Sequence, residues 1–221
     1  MNPVARVWKA AQMRVHRHII DRNYDRESGV ETKGVMFQRE LSFTQPSTGD
    51  QSHYEATPVL IFERALDALK IDPRRFAFID IGSGKGRVLL LAARKPFLKV
   101  IGIELADNLH QVAVANIARV APKTPTVSIQ SDAATFEIPN EPFVLYLFNS
   151  FGGDGCAQFL ANVERSLKAN PREGYIIYVN AIHGYLFDRQ SFLARIPRGF
   201  GEWMVDRIVS PWQVAIYRTT L

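Results

Sequence analysis

The chain of 221 residues contains one cysteine, Cys156. A single thiol closes no intrachain disulfide and builds no cysteine-rich metal site, so a reducing compartment, the cytoplasm, is expected. No apolar run approaches the ~20 residues needed to cross a bilayer. The basic start lacks the uninterrupted apolar core of a signal peptide. The five histidines show no ligand spacing, and no metal is expected. A Gly-x-Ser-x-Gly nucleophile elbow is missing. So is a Walker sequence, because Lys85 stands in a glycine turn without the required four-residue spacing. The excess of one sign of charge is small too. The net +5 permits acidic partners but does not demand nucleic acid.

Hydrophobic residues make up 47% of the chain, which excludes disorder and supports one domain with a real core. The most informative stretch is Phe76 to Ala93. An apolar run to Ile81 enters Gly82-Ser83-Gly84-Lys85-Gly86-Arg87, and Val88 to Ala93 follows at once. This pattern predicts a strand, a tight turn and a helix start, with glycines that let a ligand approach the backbone. Asp80 lies two residues before the first glycine. Beside a pyrophosphate it would repel, since the helix N-terminus already serves an anion. A cationic ligand suits it, and S-adenosylmethionine carries a sulfonium and an ammonium but no phosphate. A nicotinamide dehydrogenase would want Gly-x-Gly-x-x-Gly, and position 87 is Arg.

Further strands are expected at Lys99 to Ile103, Thr126 to Gln130, Phe143 to Phe148 and Tyr175 to Val179. Helices are expected at Val59 to Leu69 (with Thr57 as a cap), Ala106 to Val120, Cys156 to Ala169 and, shorter, Gln190 to Arg195. Trp203 to Val209 and Trp212 to Tyr217 read as a terminal hairpin around Ser210-Pro211. Strands alternating with helices predict an α/β fold with a mostly parallel sheet covered on both faces. Val4, Trp8, Ala11, Val15 and Ile19 recur at helical spacing among Arg6, Lys9, Arg14 and Arg17, with no acid before Asp21. The expectation is a basic amphipathic helix docked on its own domain, although a membrane or nucleic acid is open to it. Residues Asp21 to His53 read as irregular, with a loop from Ser42 to His53 that orders over a ligand.

Glu104 ends the second strand about twenty residues past the glycine turn, where a carboxylate can hold a ribose diol. Asp132, next to Ala133 after the third strand, suits an adenine amino group, with Phe136 near the ring, or caps its own turn. Asn149 tips the apolar strand 143–148 before Ser150-Phe151-Gly152-Gly153. Its carbonyl can aim the lone pair of a nucleophilic amine. Tyr54, near Glu55 and Thr57, can cover the ligand. His183 is a lone histidine beyond the fifth strand.

Together these residues resemble a class I S-adenosylmethionine-dependent methyltransferase over about Tyr54 to Tyr217. More narrowly, Asp80 to Arg87 with Tyr54 upstream and Asn149-Ser150-Phe151 downstream is similar to histone-lysine methyltransferases of the disruptor-of-telomeric-silencing type and to related bacterial proteins. Ser150 stands where many amino-group methyltransferases have Pro. The resemblance implies a Rossmann-like seven-stranded sheet with an antiparallel terminal hairpin, in residues 54–221, after a basic extension 1–53. It implies S-adenosylmethionine bound by Tyr54, Thr57, Asp80, Gly82, Ser83, Gly84, Arg87, Glu104, Asp132, Ala133 and Asn149, with Asn149 and Tyr54 at the transferring methyl. A protein lysine or a small molecule, methylated on N or O, is the implied acceptor. A non-catalytic cofactor-binding scaffold and a nucleic-acid acceptor, the latter suggested by Arg74-Arg75, are the alternatives.

Overall fold

The computed structural model describes residues 3–16, 19, 21, 23–44 and 53–221. Helices α1 (Pro3–Val15) and α2 (Tyr24–Ser28) lead to a two-stranded antiparallel ribbon, β1 (Val35–Met36) and β2 (Tyr54–Glu55). Then α3 (Val59–Asp67), β3 (Ala77–Ile81), α4 (Arg87–Ala92), β4 (Lys99–Glu104), α5 (Asp107–Val120), β5 (Thr126–Gln130) and β6 (Phe143–Phe148) alternate. The remaining elements are α6 (Gly153–Ala169), β7 (Gly174–Val179), α7 (Gly184–Asp188), β8 (Leu193–Arg195), α8 (Phe200–Val209) and β9 (Val214–Thr219).

The large sheet has seven strands in the order β5-β4-β3-β6-β7-β9-β8. Strands β3 to β7 run parallel, and β9 is antiparallel to both β7 and β8. The order reverses beside β3, so β3, β4 and β6 end at one crevice, where open sheets bind ligands. The central strands are buried on both faces, which explains their continuous apolar runs. Phe78, Val144 and Ile177 pack on one face with Phe62 and Leu89. Ile79, Leu145 and Ile176 pack on the other with Phe159 and Val163.

Four expectations are corrected. The antiparallel terminal pair exists, but β8 and β9 make it. Residues 203–209 belong to α8, and Gln190 to Arg195 ends as strand rather than helix. A β-rich tail sequence was overridden by tertiary packing, as happens for short amphipathic segments. Thr57 does not cap α3. Pro58 holds the N-cap position, and the Val59 N–H donates instead to both oxygens of Asp21, 3.3 Å away. Finally, the apolar stripe of α1 faces outward. Trp8, Val15 and Ile19 are exposed, while Gln12 and His16 are buried. The side chain of Val4 and all of Arg17 lie outside the described residues, as do positions 45–52 of the expected Ser42 to His53 loop. Where that loop begins, Ser42 accepts the Asp107 N–H at 2.8 Å and sits on the first turn of α5.

Candidate functional site

A cavity opens at the carboxyl ends of β3, β4 and β6. Tyr54, Thr57, Asp80, Gly82, Ser83, Gly84, Arg87, Glu104 and Asn149 all line it, with Leu41, His53, Glu55, Ala56, Val88, Leu109, Phe148 and Ser150. Nine of the residues singled out in the sequence therefore meet at one place. Asp132 and Ala133 do not line it. Asp132 Oδ1 accepts the Ala134 N–H at 2.9 Å, a turn-capping bond at the end of β5. His183 sits at the start of α7, away from the cavity.

The loop after β3 is shaped by its neighbours. Gly82 and Gly84 have φ of 75° and 54°. A Cβ on Gly82 would fall 2.9 Å from Ser150 Cβ, and one on Gly84 would fall 2.3 Å from the Tyr54 ring. Glycine is required at both for backbone conformation and for space. Ser150 donates its hydroxyl to the carbonyl of Ile81, tying the ends of β3 and β6 together. Asn149 takes φ of 50°, a left-handed conformation that Asn tolerates better than most residues.

Two carboxylates form the floor. Glu104 is 7% exposed, and its oxygens accept the N–H of Gly84 at 2.7 Å and of Ala106 at 2.8 Å. It anchors the glycine loop while keeping lone pairs for a ligand. Burial pushes its carboxyl upward, and those backbone bonds offset part of the shift. Asp80 is 3% exposed, and among the described residues no donor bonds its carboxylate. Burial first, and then the charge of Glu104, hold it well above the usual carboxylate range. A buried acid without a donor, facing a second acid, is an electrostatic deficit that a cation relieves. Ser83 Oγ is likewise buried and has no partner among the described residues. These groups fit a nucleoside bearing an ammonium and a sulfonium: Asp80 for positive charge, Glu104 to accept from a diol, and Ser83 for a polar group.

Arg87 behaves differently from its neighbours. Its guanidinium turns away into the extension, where Nε donates to Thr32 Oγ1 at 2.7 Å. Nη1 donates to Asp21 and Nη2 to Asp25, each at 3.1 Å, over the Tyr24 ring at 4.9 Å. A cation at a helix N-terminus opposes the helix dipole, and these carboxylates compensate it. Burial pushes Asp21 up against the pull of Arg87. Burial would raise Asp25 too, but bonds from Thr32 and Lys33 together with Arg87 leave it low. Lys85 pairs with Glu31 at 2.7 Å, and Asn116 bridges the carbonyls of Glu31 and Lys85. The Tyr54 hydroxyl donates to the Thr32 carbonyl at 2.5 Å, leaving its ring over Gly84. The part played by Asp21, Asp25 and Thr32 is not evident in the sequence. No local spacing marks it, because the three residues meet Arg87 from 55 to 66 positions away.

Among the described residues no helix is long and apolar enough to cross a membrane, and no cluster of three or more His, Cys, Asp or Glu could hold a metal. No protein-family model matches the sequence, and no curated protein matches it. Solved structures do. An RNA methyltransferase from Salinibacter ruber in complex with S-adenosyl-L-homocysteine is 19% identical, over 74% of this chain and 91% of its own, with a TM-score of 0.50. The Escherichia coli protein yhhF, a candidate methyltransferase, is 13% identical over 85% and 99%, with a TM-score of 0.56. The cyclase SpnF is 9% identical over 96% of each chain, with a TM-score of 0.57. The likeness spans methyltransferases and a cyclase, so it speaks to architecture and leaves the chemistry to the site. The chain has the Rossmann-like fold of class I S-adenosylmethionine-dependent methyltransferases.

Proposed function

We propose that the protein is an S-adenosylmethionine-dependent methyltransferase acting on an amine nitrogen, such as a protein lysine. The observation that carries the reading is Asp80, a buried carboxylate with no donor among the described residues, set against a second acid, Glu104, in the crevice beside β3. Asp80 and Ser83 would hold the methionine end of the cofactor and Glu104 the ribose, while Asp132 and Ala133, outside the cavity lining, would meet only an adenine that reaches past Glu104 to the end of the neighbouring strand β5. The bound cofactor supplies an activated methyl group on a sulfonium that is already a good leaving group. The chain's own task is then alignment, which alone contributes on the order of 7–11 kcal/mol. Asn149, which lines the cavity, would accept a hydrogen bond from the acceptor amine and aim its lone pair. Tyr54 acts through its ring: its hydroxyl is engaged by Thr32, and burial raises it beyond use as a base.

A second cavity of about 330 Å³ shares Glu55, Ala56 and Arg87 with the first and is lined by Met13, His16 and Trp212. Trp212 packs edge-on against Phe148, 5.1 Å between ring centroids, beside Asn149. We read this cavity as the acceptor chamber. Glu55 would attract a cationic amine, whereas burial beside Trp212 and the nearby charges of Lys33 and Arg87 would favour its neutral, nucleophilic form, since a free lysine titrates at ~10.4. Residues 54–221 then form the cofactor domain, with 1–53 as the extension that braces it. The resemblance to histone-lysine methyltransferases rests on the same Tyr54, Asp80-to-Gly86 and Asn149-Ser150-Phe151 pattern. Buried Cys156 suits the reducing cytoplasm. A nucleic-acid acceptor gains little from Arg74 and Arg75, which pair with Asp72 and Glu173 at the opposite end of the sheet. Incubation with methyl-labelled cofactor and cell extract tests the assignment. Label in protein, released as methylated lysine on hydrolysis, is expected. Label confined to nucleic acid, or absent from every pool, overturns it.

A further inference from the structure

The first helix presents its apolar residues outward and its polar residues inward. Gln12 and His16 are buried, whereas Val7, Trp8 and Val15 are 72%, 55% and 43% exposed, and Ile19 just beyond is 71% exposed. Gln12 fixes this orientation by donating its side-chain amide to the carbonyls of Arg207 at 3.0 Å and Ile208 at 2.7 Å. The last turn of α8 therefore abuts α1, and α8 leaves Met204, Val205 and Ile208 exposed as well. A helix that merely covers its own domain shows the opposite arrangement. Apolar residues gathered in water on neighbouring helices mark a surface that something else covers.

Charge selects the occupant. Arg6 and Arg14 are exposed on the same helix, α1 carries no acid, and the sequence has none before Asp21. A second copy seated on this face by a two-fold axis would set Arg6 and Arg14 against their own equivalents without a carboxylate between them. A nucleic-acid backbone would satisfy the arginines but leave Val7, Trp8 and Ile19 in water. An anionic lipid surface satisfies both, with the apolar stripe entering the headgroup boundary and the basic residues meeting lipid phosphates. We propose that α1, with the last turn of α8, seats the protein on the surface of an anionic bilayer. The helix is ~20 Å long and would lie in the interface plane rather than span it. This inference does not depend on the methyl-transfer reading, although Met13 and His16 on the inner side of the same helix line the proposed acceptor chamber.

The test is co-sedimentation of the full chain with phosphatidylcholine vesicles with and without phosphatidylglycerol, at low and high salt. The wild type is expected to partition onto the anionic vesicles at least about tenfold better than onto neutral ones, with the preference weakened by salt. Trp8→Glu should reduce that partition by about tenfold or more, as should the charge-only variant Arg6→Glu/Arg14→Glu. Both should unfold at the wild-type temperature, because the replaced side chains are exposed. Equal binding to the two vesicle types, or wild-type partition by Trp8→Glu, overturns the proposal. So does a wild-type dimer in sedimentation that Trp8→Glu dissociates, which would assign the face to a second copy.

Discussion

Replacing Asp80 by Asn should move cofactor affinity and protein stability in opposite directions. The two side chains are nearly isosteric, so the substitution removes charge and little else. In the free protein the carboxylate has no donor among the described residues and faces Glu104. Its folded-state proton affinity is raised above that of the unfolded chain. Its contribution to stability is thus present at low pH and lost as pH rises through the raised value. At neutral pH the amide should leave the fold as stable as the wild type or more so. In the complex the same substitution deletes a charge-assisted contact to a cation, worth ~1.5–3 kcal/mol as a hydrogen bond. The attraction itself is ~4 kcal/mol for unit charges about 4 Å apart at an effective dielectric of 20. A net loss of ~2–4 kcal/mol corresponds to roughly 30- to 1000-fold weaker binding of S-adenosylmethionine. Titration calorimetry reads the affinity, and urea unfolding without ligand reads the stability. A variant that binds like the wild type, or one that is destabilised with affinity intact, refutes the electrostatic argument.

Other consequences follow from the same geometry. Wild-type affinity for the cofactor should fall about tenfold per pH unit once the medium is acid enough to protonate Asp80, and Asp80→Asn should flatten that profile in calorimetry. Arg87→Met strands the buried Asp21 without its partner and should cost ~3–5 kcal/mol in urea unfolding. Gly84→Ala drives a Cβ into the Tyr54 ring. It should weaken cofactor binding, and adding Tyr54→Ala should recover part of the lost stability, leaving only the strain of a positive φ, about 1 kcal/mol. Asn149→Ala should slow turnover about 100-fold by misplacing the acceptor, while calorimetric affinity for the cofactor stays near wild type.

The sheet was legible because its central strands are short apolar runs punctuated by glycine and proline, and the crevice was legible because Asp80, Glu104 and Asn149 each stand at a strand end. Strand β6 runs from Phe143 to Phe148 as its pattern predicts. The tail misled because Trp203 to Val209 mixes β-branched and aromatic residues, while its helical state depends on contacts such as Arg64 with Asp206 at 3.0 Å and α1 with the end of α8. The extension misled more deeply. Asp21, Asp25 and Thr32 reach Arg87 across 55 to 66 positions of sequence, a pairing no local pattern encodes. Arg87 itself read as a cofactor contact because of where it stands, yet its donors serve those partners. The stripe of α1 had the right period but gave no sign of which way it faces, since periodicity fixes a face and not its partner.

A crystal of the protein grown with S-adenosylhomocysteine bears most directly on the pairing of Asp80 and Glu104 as a cradle for a positively charged nucleoside. The ligand's amine is expected within hydrogen-bonding reach of Asp80, with its ribose hydroxyls on Glu104. A crevice left empty at saturating ligand, or one that takes a phosphorylated nucleotide there instead, would contradict it.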